Sequence, residues 1–113
     1  MITVETMHQR KQKLLEKSDA VIALPGGSGT LEELLEVISL KRLGLYLNPI
    51  IIVNTDGYYD ALKVQLNRCI EEKFMDPRHQ DLWTFVDQPQ QVLPAIYEAP
   101  AWSPDALTFA VMR

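Results

Sequence analysis

The sequence predicts an α/β fold built on a parallel sheet. Two short apolar runs rich in β-branched residues, 20–24 and 50–53, read as strands covered on both faces. Segments with helical spacing of apolar residues alternate with these runs, as crossover connections require. A glycine-rich turn, Pro25-Gly26-Gly27-Ser28-Gly29, joins the first run directly to a leucine-rich helix.

Taken in order, residues 2–4 are β-branched and read as the end of a strand. Thr6 can cap a helix running to residue 18, with Met7, Lys11, Leu14 and Leu15 along one side, and Asp19 ends it. After the strand at 20–24, the spacing predicts a helix over residues 30–43, stopped by Gly44. Leu31, Leu34, Leu35 and Ile38 form its main stripe. Val37 and Leu40 fall off the centre of that stripe and call for a second cover, from a partner chain or from further sequence. The strand at 50–53 is followed by the turn Asn54-Thr55-Asp56-Gly57. A helix follows over 58–72, with Leu62, Leu66, Cys69 and Ile70 inward. Asp76-Pro77 starts a short helical turn, 84–86 is a short strand, and 89–97 is a final helix with Val92 and Ile96 inward. From about residue 100 a tail with Trp102, Pro104 and Phe109 shows no period and is expected to lie against the domain or a partner. About four short strands result, within one domain spanning 1–113.

Composition narrows the function classes. Of 113 residues, 47% are hydrophobic and 23% charged, an ordinary globular balance. The net charge of −4 supplies no basic footprint for nucleic acid. A single cysteine, Cys69, excludes an internal disulfide and fits a reducing compartment; its helical context suits a small core residue. No apolar run approaches the roughly 20 residues of a membrane span. Glu5, His8, Arg10 and Lys11 interrupt any early apolar segment, so the N-terminus does not read as a signal peptide. The expectation is a cytoplasmic protein without nucleic-acid or membrane partners.

The chemistry concentrates in two stretches. In Pro25-Gly26-Gly27-Ser28-Gly29-Thr30-Leu31-Glu32-Glu33 a strand delivers the chain to a helix N-terminus. Free amides and the positive end of the helix dipole converge there, so the place suits an anion. The glycines let backbone approach a phosphate, Thr30 adds a hydroxyl, and Glu33 places a carboxylate one turn inside. The P-loop ending is absent, because Thr30 follows Gly29 directly. The dinucleotide fingerprint fails at Glu32. The plainer alternative is a tight turn with a capping box between Thr30 and Glu33. The second stretch, Met7-His8-Gln9-Arg10-Lys11, puts cationic side chains at the start of a helix, where the dipole disfavours them. A bound anion would remove that conflict; a solvated basic turn is the plainer reading. Ligands of parallel sheets bind beyond the strands' carboxyl ends, so the loops at 6–11, 25–30 and 54–59 should line one crevice.

Together, Met-His-x-Arg-Lys and Pro-Gly-Gly-x-Gly-Thr-x-x-Glu at this separation resemble the Lonely Guy family. These are cytokinin riboside 5′-monophosphate phosphoribohydrolases, long labelled lysine decarboxylases. The likeness continues through Glu36-Val37-Ile38, Leu43-Gly44, Asn48-Pro49 and Asp56-Gly57-Tyr58-Tyr59. It implies a Rossmann-like fold with helices on both faces of the sheet and a homodimer with active sites near its interface. It also implies hydrolysis of the N-glycosidic bond of a nucleoside 5′-monophosphate, AMP-like or a cytokinin nucleotide, to free base and ribose 5-phosphate. By motif match Arg10 and Glu33 are the catalytic pair. Gly26, Gly27, Ser28, Gly29 and Thr30 hold the phosphate, and Met7 and Lys11 line the nucleotide site. No metal or organic cofactor is implied, and no lysine here has the context of a Schiff-base residue. Members carry an N-terminal half with further strands and another glycine-rich loop, so this chain reads as the C-terminal part of such a domain. Two other readings share these features. One is a binding module like the molybdenum cofactor carriers, which hold a phosphate-bearing ligand without turnover; the other is an inactive fragment that only dimerises.

Overall fold

The computed structural model describes residues 18–110. The expected strand at 2–4, the helix at 6–18 and the stretch from Met7 to Lys11 lie outside the described residues, Ser18 excepted. Among the described residues three parallel strands form the sheet: β1 (Val21–Ala23), β2 (Ile50–Val53) and β3 (Thr84–Val86), in that spatial order. Val21 pairs with Ile50, Ile52 with Phe85, and Val53 with Val86. Helices α1 (Ser28–Arg42), α2 (Asp60–Glu71) and α3 (Val92–Glu98) connect and follow the strands. Short 3₁₀ turns occupy Thr55–Gly57, Pro77–Leu82, Pro89–Gln91 and Pro104–Phe109.

The central strand divides the core. Alternate residues of a strand point to opposite faces. Ile50 and Ile52 join Ala23 against Leu34, Val37 and Ile38 of α1 and Leu66 of α2. Ile51 and Val53 join Val86 against Val92, Ala95 and Ile96 of α3. All four β2 side chains are buried, the signature of a parallel strand covered on both faces. Helices therefore do lie on both faces of the sheet.

Two expectations fail in detail. The run at 20–24 was to be covered on both faces, yet Ile22 is 47% and Leu24 56% exposed. They lie on the α3 face, and α3 packs on β2 and β3. On α1, the buried stripe is Leu34, Val37, Ile38 and Lys41. Val37, expected to need a second cover from a partner chain or further sequence, is 1% exposed within this domain, and Leu40 packs against this chain's own core. The stripe is rotated toward the C-terminal half of α1, because that half is covered by the Pro77–Leu82 turn and the tail. Leu35 is the exposed leucine of this helix.

The end of α1 is built as a Schellman motif. The Gly44 amide donates to the Lys41 carbonyl at 3.0 Å and the Leu45 amide to Leu40 at 2.9 Å. Gly44 has φ of +80°, and a Cβ there would meet the Pro104 backbone. The tail lies against the domain, as expected: the Trp102 indole donates to the Lys41 carbonyl at 2.6 Å and Arg42 to the Ala110 carbonyl at 2.8 Å.

Under the tail sits His79, fully buried and packed against the Trp102 and Phe109 rings, which also meet each other edge-on. Its Nδ1 accepts from the Asp76 amide at 3.0 Å, which puts the proton of the neutral ring on Nε2. Nε2 has no hydrogen-bond partner among the described residues. Burial lowers the His79 pKa first; the Asp76 carboxylate opposes this, and Arg42 and Arg78 reinforce it. A base whose folded pKa is depressed leaves stability untouched above the unfolded pKa and removes it as pH falls below, because only the unfolded chain takes the proton. Thermal melts should therefore show Tm falling as pH drops below the ordinary histidine value of about 6.5, with a slope of at most about 1.4 kcal/mol per pH unit. His79→Asn, whose Oδ1 can replace the Nδ1 acceptor, should flatten that slope; an unchanged slope would assign it elsewhere.

Candidate functional site

The glycine-rich turn leaves the carboxyl end of β1 and enters α1. Gly27 is the N-cap residue, in extended conformation with φ −97°, and among the described residues no side-chain cap is formed. Helical bonding starts with the Leu31 amide donating to the Gly27 carbonyl at 3.1 Å. The amides of Ser28, Gly29 and Thr30 thus have no acceptor within the helix. The capping box weighed for Thr30 and Glu33 is not formed, since the helix begins two residues before Thr30. No acidic side chain occupies the first turn, so the positive end of the dipole is uncompensated from within α1.

The three glycines differ in role. None has a positive φ, so backbone freedom is not what selects them. Gly26 lies beneath the Thr30 side chain; a Cβ on it would collide with Thr30 Oγ1 and approach Thr30 Cβ to 2.8 Å. Gly27 and Gly29 are different: a Cβ on either meets nothing within 4 Å among the described residues. They face open space, where a ligand could come up to the backbone. Ser28 and Gly29 are exposed and Thr30 is half-buried.

Glu33 is exposed, five residues beyond the start of α1 and about 7.5 Å along its axis. It stands four residues after Gly29, hence on the same side of the helix. The structure thus brings Gly26, Gly27, Ser28, Gly29, Thr30 and Glu33 together in one loop and the first turns of one helix. Arg10, Met7 and Lys11 lie outside the described residues.

A second loop meets the first. Residues 54–59 leave the carboxyl end of β2, with Asp56 at φ 52° and Gly57 at φ 72° completing the expected turn. The Tyr58 hydroxyl donates to the Gly26 carbonyl, and the Tyr59 hydroxyl to the Leu24 carbonyl at 2.6 Å. Two of the three loops expected to line one crevice are therefore in direct contact. The signal that could have flagged the tyrosines was their place just after the Asp-Gly turn at a strand's carboxyl end. A separate cavity of about 560 Å³ lies between β3 and α3, lined by Phe85, Asp87, Gln91 and Glu98 among others; it shares no residue with this site.

The family model described as possible lysine decarboxylase matches residues 1–96. A probable cytokinin riboside 5′-monophosphate phosphoribohydrolase of Oryza sativa subsp. japonica, LOGL6, is 44% identical over 90 residues, 80% of this chain and 36% of its own length. The chain belongs to the Lonely Guy family. Two members from Arabidopsis thaliana, the cytokinin riboside 5′-monophosphate phosphoribohydrolases LOG2 and LOG3, are 49% identical over 75 residues and 48% over 79. These matches cover 66% and 70% of this chain but 35% and 37% of the relatives. The chain thus spans little more than a third of the length of these Lonely Guy proteins. The three-stranded parallel sheet with helices on both faces fits the α/β, Rossmann-like fold of the family.

The glycine geometry yields a discriminating test. Gly27→Ala and Gly29→Ala should leave the protein folded, and Gly29→Ala should gain up to about 1 kcal/mol in helix propensity. Both should weaken binding of AMP while leaving adenosine unaffected, as read by calorimetry. Gly26→Ala should instead lower Tm, because its Cβ has no room. Equal loss of AMP and adenosine binding in the folded Gly27 and Gly29 variants would deny the turn a phosphate.

Proposed function

We propose that this site binds a nucleoside 5′-monophosphate and hydrolyses its N-glycosidic bond; the Lonely Guy relatives are named cytokinin riboside 5′-monophosphate phosphoribohydrolases. The observation that carries the reading is the uncapped N-terminus of α1, with open space over Gly27 and Gly29 and a carboxylate on the same side of the helix. The amides of Ser28, Gly29 and Thr30 would donate to the phosphate, aided by the helix dipole.

With the phosphate at the first turn, the ribose would extend along α1 toward Glu33. Cleavage develops positive charge on the anomeric carbon and ring oxygen, as in glycoside hydrolysis. The Glu33 carboxylate would stabilise that charge and orient the water whose oxygen bonds to the anomeric carbon. The bonding electrons leave with the base, which takes up a proton, and ribose 5-phosphate remains. Arg10 is the proposed partner in catalysis, by neutralising substrate charge or assisting the leaving base; Met7 and Lys11 would line the nucleotide.

Incubation with AMP, and with a cytokinin riboside 5′-monophosphate, should release free base. Glu33→Gln should lower kcat by about 100-fold or more while leaving nucleotide affinity within a few-fold. A Glu33→Gln protein with normal turnover would remove the carboxylate from the mechanism.

The active assembly is proposed to be a homodimer with α1 in or beside the contact. Leu35, exposed in mid-helix, is the apolar side chain that this contact would bury. Light scattering should report a dimer for the purified chain and a shift toward monomer for Leu35→Glu. A monomeric wild type, or a dimer indifferent to Leu35→Glu, would exclude a contact there.

A further inference from the structure

We propose that Tyr58 and Tyr59 form a clamp that pre-sets the glycine-rich turn for a phosphate-bearing ligand, each acting as a positioning residue through its hydroxyl. The proposal rests on the reading of the turn as a phosphate site. It assigns the part of the phosphate affinity that comes from holding the turn still.

The problem the clamp solves is conformational. A turn containing Gly26, Gly27 and Gly29 is intrinsically loose, and ordering a residue on binding costs about 1–2 kcal/mol. A turn already held in its binding conformation avoids that cost. The two hydroxyls hold it at two points. Tyr59 donates to the Leu24 carbonyl and Tyr58 to the Gly26 carbonyl, so both sides of Pro25 are fixed from one dipeptide.

The dipeptide is itself anchored. The Tyr59 amide donates to Asn54 Oδ1 at 2.5 Å, and Asn54 Nδ2 donates to Asp60 Oδ1 at 2.8 Å. The Asn54 amide donates to the Val86 carbonyl of β3 at 2.7 Å. The Tyr59 ring is buried, and the Tyr58 ring meets it edge-on at 5.0 Å between centroids. A continuous chain of contacts thus runs from β3 through Asn54 and Tyr59 to the carbonyls flanking Pro25. Burial first, then the neighbouring Tyr58, pushes the Tyr59 phenol above its ordinary range, so it stays a donor through neutral pH.

The test uses Tyr58→Phe, Tyr59→Phe and the double variant, which keep the rings and remove the hydroxyls. Two readouts are compared in the whole chain: AMP and adenosine affinities by calorimetry, and hydrogen exchange of the amides at 26–30. Each single variant should weaken AMP binding about three- to ten-fold, the worth of one hydrogen bond, with adenosine unchanged. Amide exchange at 26–30 should accelerate while that of α2 does not. Weaker AMP binding without faster exchange would overturn the clamp and make the hydroxyls direct ligand contacts. Unchanged AMP binding and exchange would also overturn it. A wild type that binds AMP no better than adenosine would overturn the phosphate reading itself, and the proposal with it. Tyr58 is half-exposed, so its variant reports even if Tyr59→Phe lowers stability.

Discussion

The structure depends on one strand that is buried on both faces. β2 sends Ile50 and Ile52 into the core beneath α1 and α2, and Ile51 and Val53 into the core against α3. Full burial of an aliphatic side chain is worth about 1.5–3 kcal/mol, so these four residues carry a large part of the stability of so small a sheet. The same strand fixes β1 and β3 by parallel pairing on its two edges. Every loop that could carry function leaves from the carboxyl ends that this pairing aligns.

From that alignment the site follows by short steps. β1 ends at the glycine-rich turn and β2 ends at Asn54, one strand away. Adjacent parallel strands place these loops side by side, within reach of a tyrosine side chain. The turn then hands the chain to α1, whose core stripe fixes the direction of its axis and hence of its first-turn amides. Glu33 inherits its place from the same helix. The electrostatic character of the site is thus a consequence of helix direction, with the glycines deciding how closely a ligand can approach it.

The sequence made the central features legible because they rest on local pattern. Ile50–Val53 is apolar at every position, a mark of two-sided burial, and 3.6-residue spacing places Leu66, Val92 and Ile96 correctly. What pattern could not supply was the identity of remote neighbours. Val37 reads as off the centre of the α1 stripe because that centre depends on the Pro77–Leu82 turn and the tail, far off in the chain. Ile22 and Leu24 belong to an apolar run whose second face α3 does not reach. The tyrosine contacts were illegible for another reason. Their acceptors are backbone carbonyls 32 and 35 residues away, and a carbonyl leaves no mark in a sequence. The division among the glycines was hidden likewise, since only the position of Thr30 distinguishes Gly26 from Gly27.

The tail shows how the helix of the candidate site is stabilised from its opposite end. The family match stops at residue 96, yet Trp102, Pro104 and Ala110 all contact the C-terminal end of α1 or the turn after it. The last carbonyls of a helix need donors, and here the Schellman amides and the Trp102 indole supply them, while Pro104 closes over Gly44. Lys41 pays into the same arrangement: it is almost wholly buried, and burial pulls its pKa down to about 8 against the opposing charge of Asp81. A buried amine raises the cost of covering this end, so the tail is retained in spite of Lys41 and by virtue of its rings and hydrogen bonds. Fixing the C-terminal end in this way leaves the N-terminal amides as the open end of α1, where the proposed phosphate contact lies.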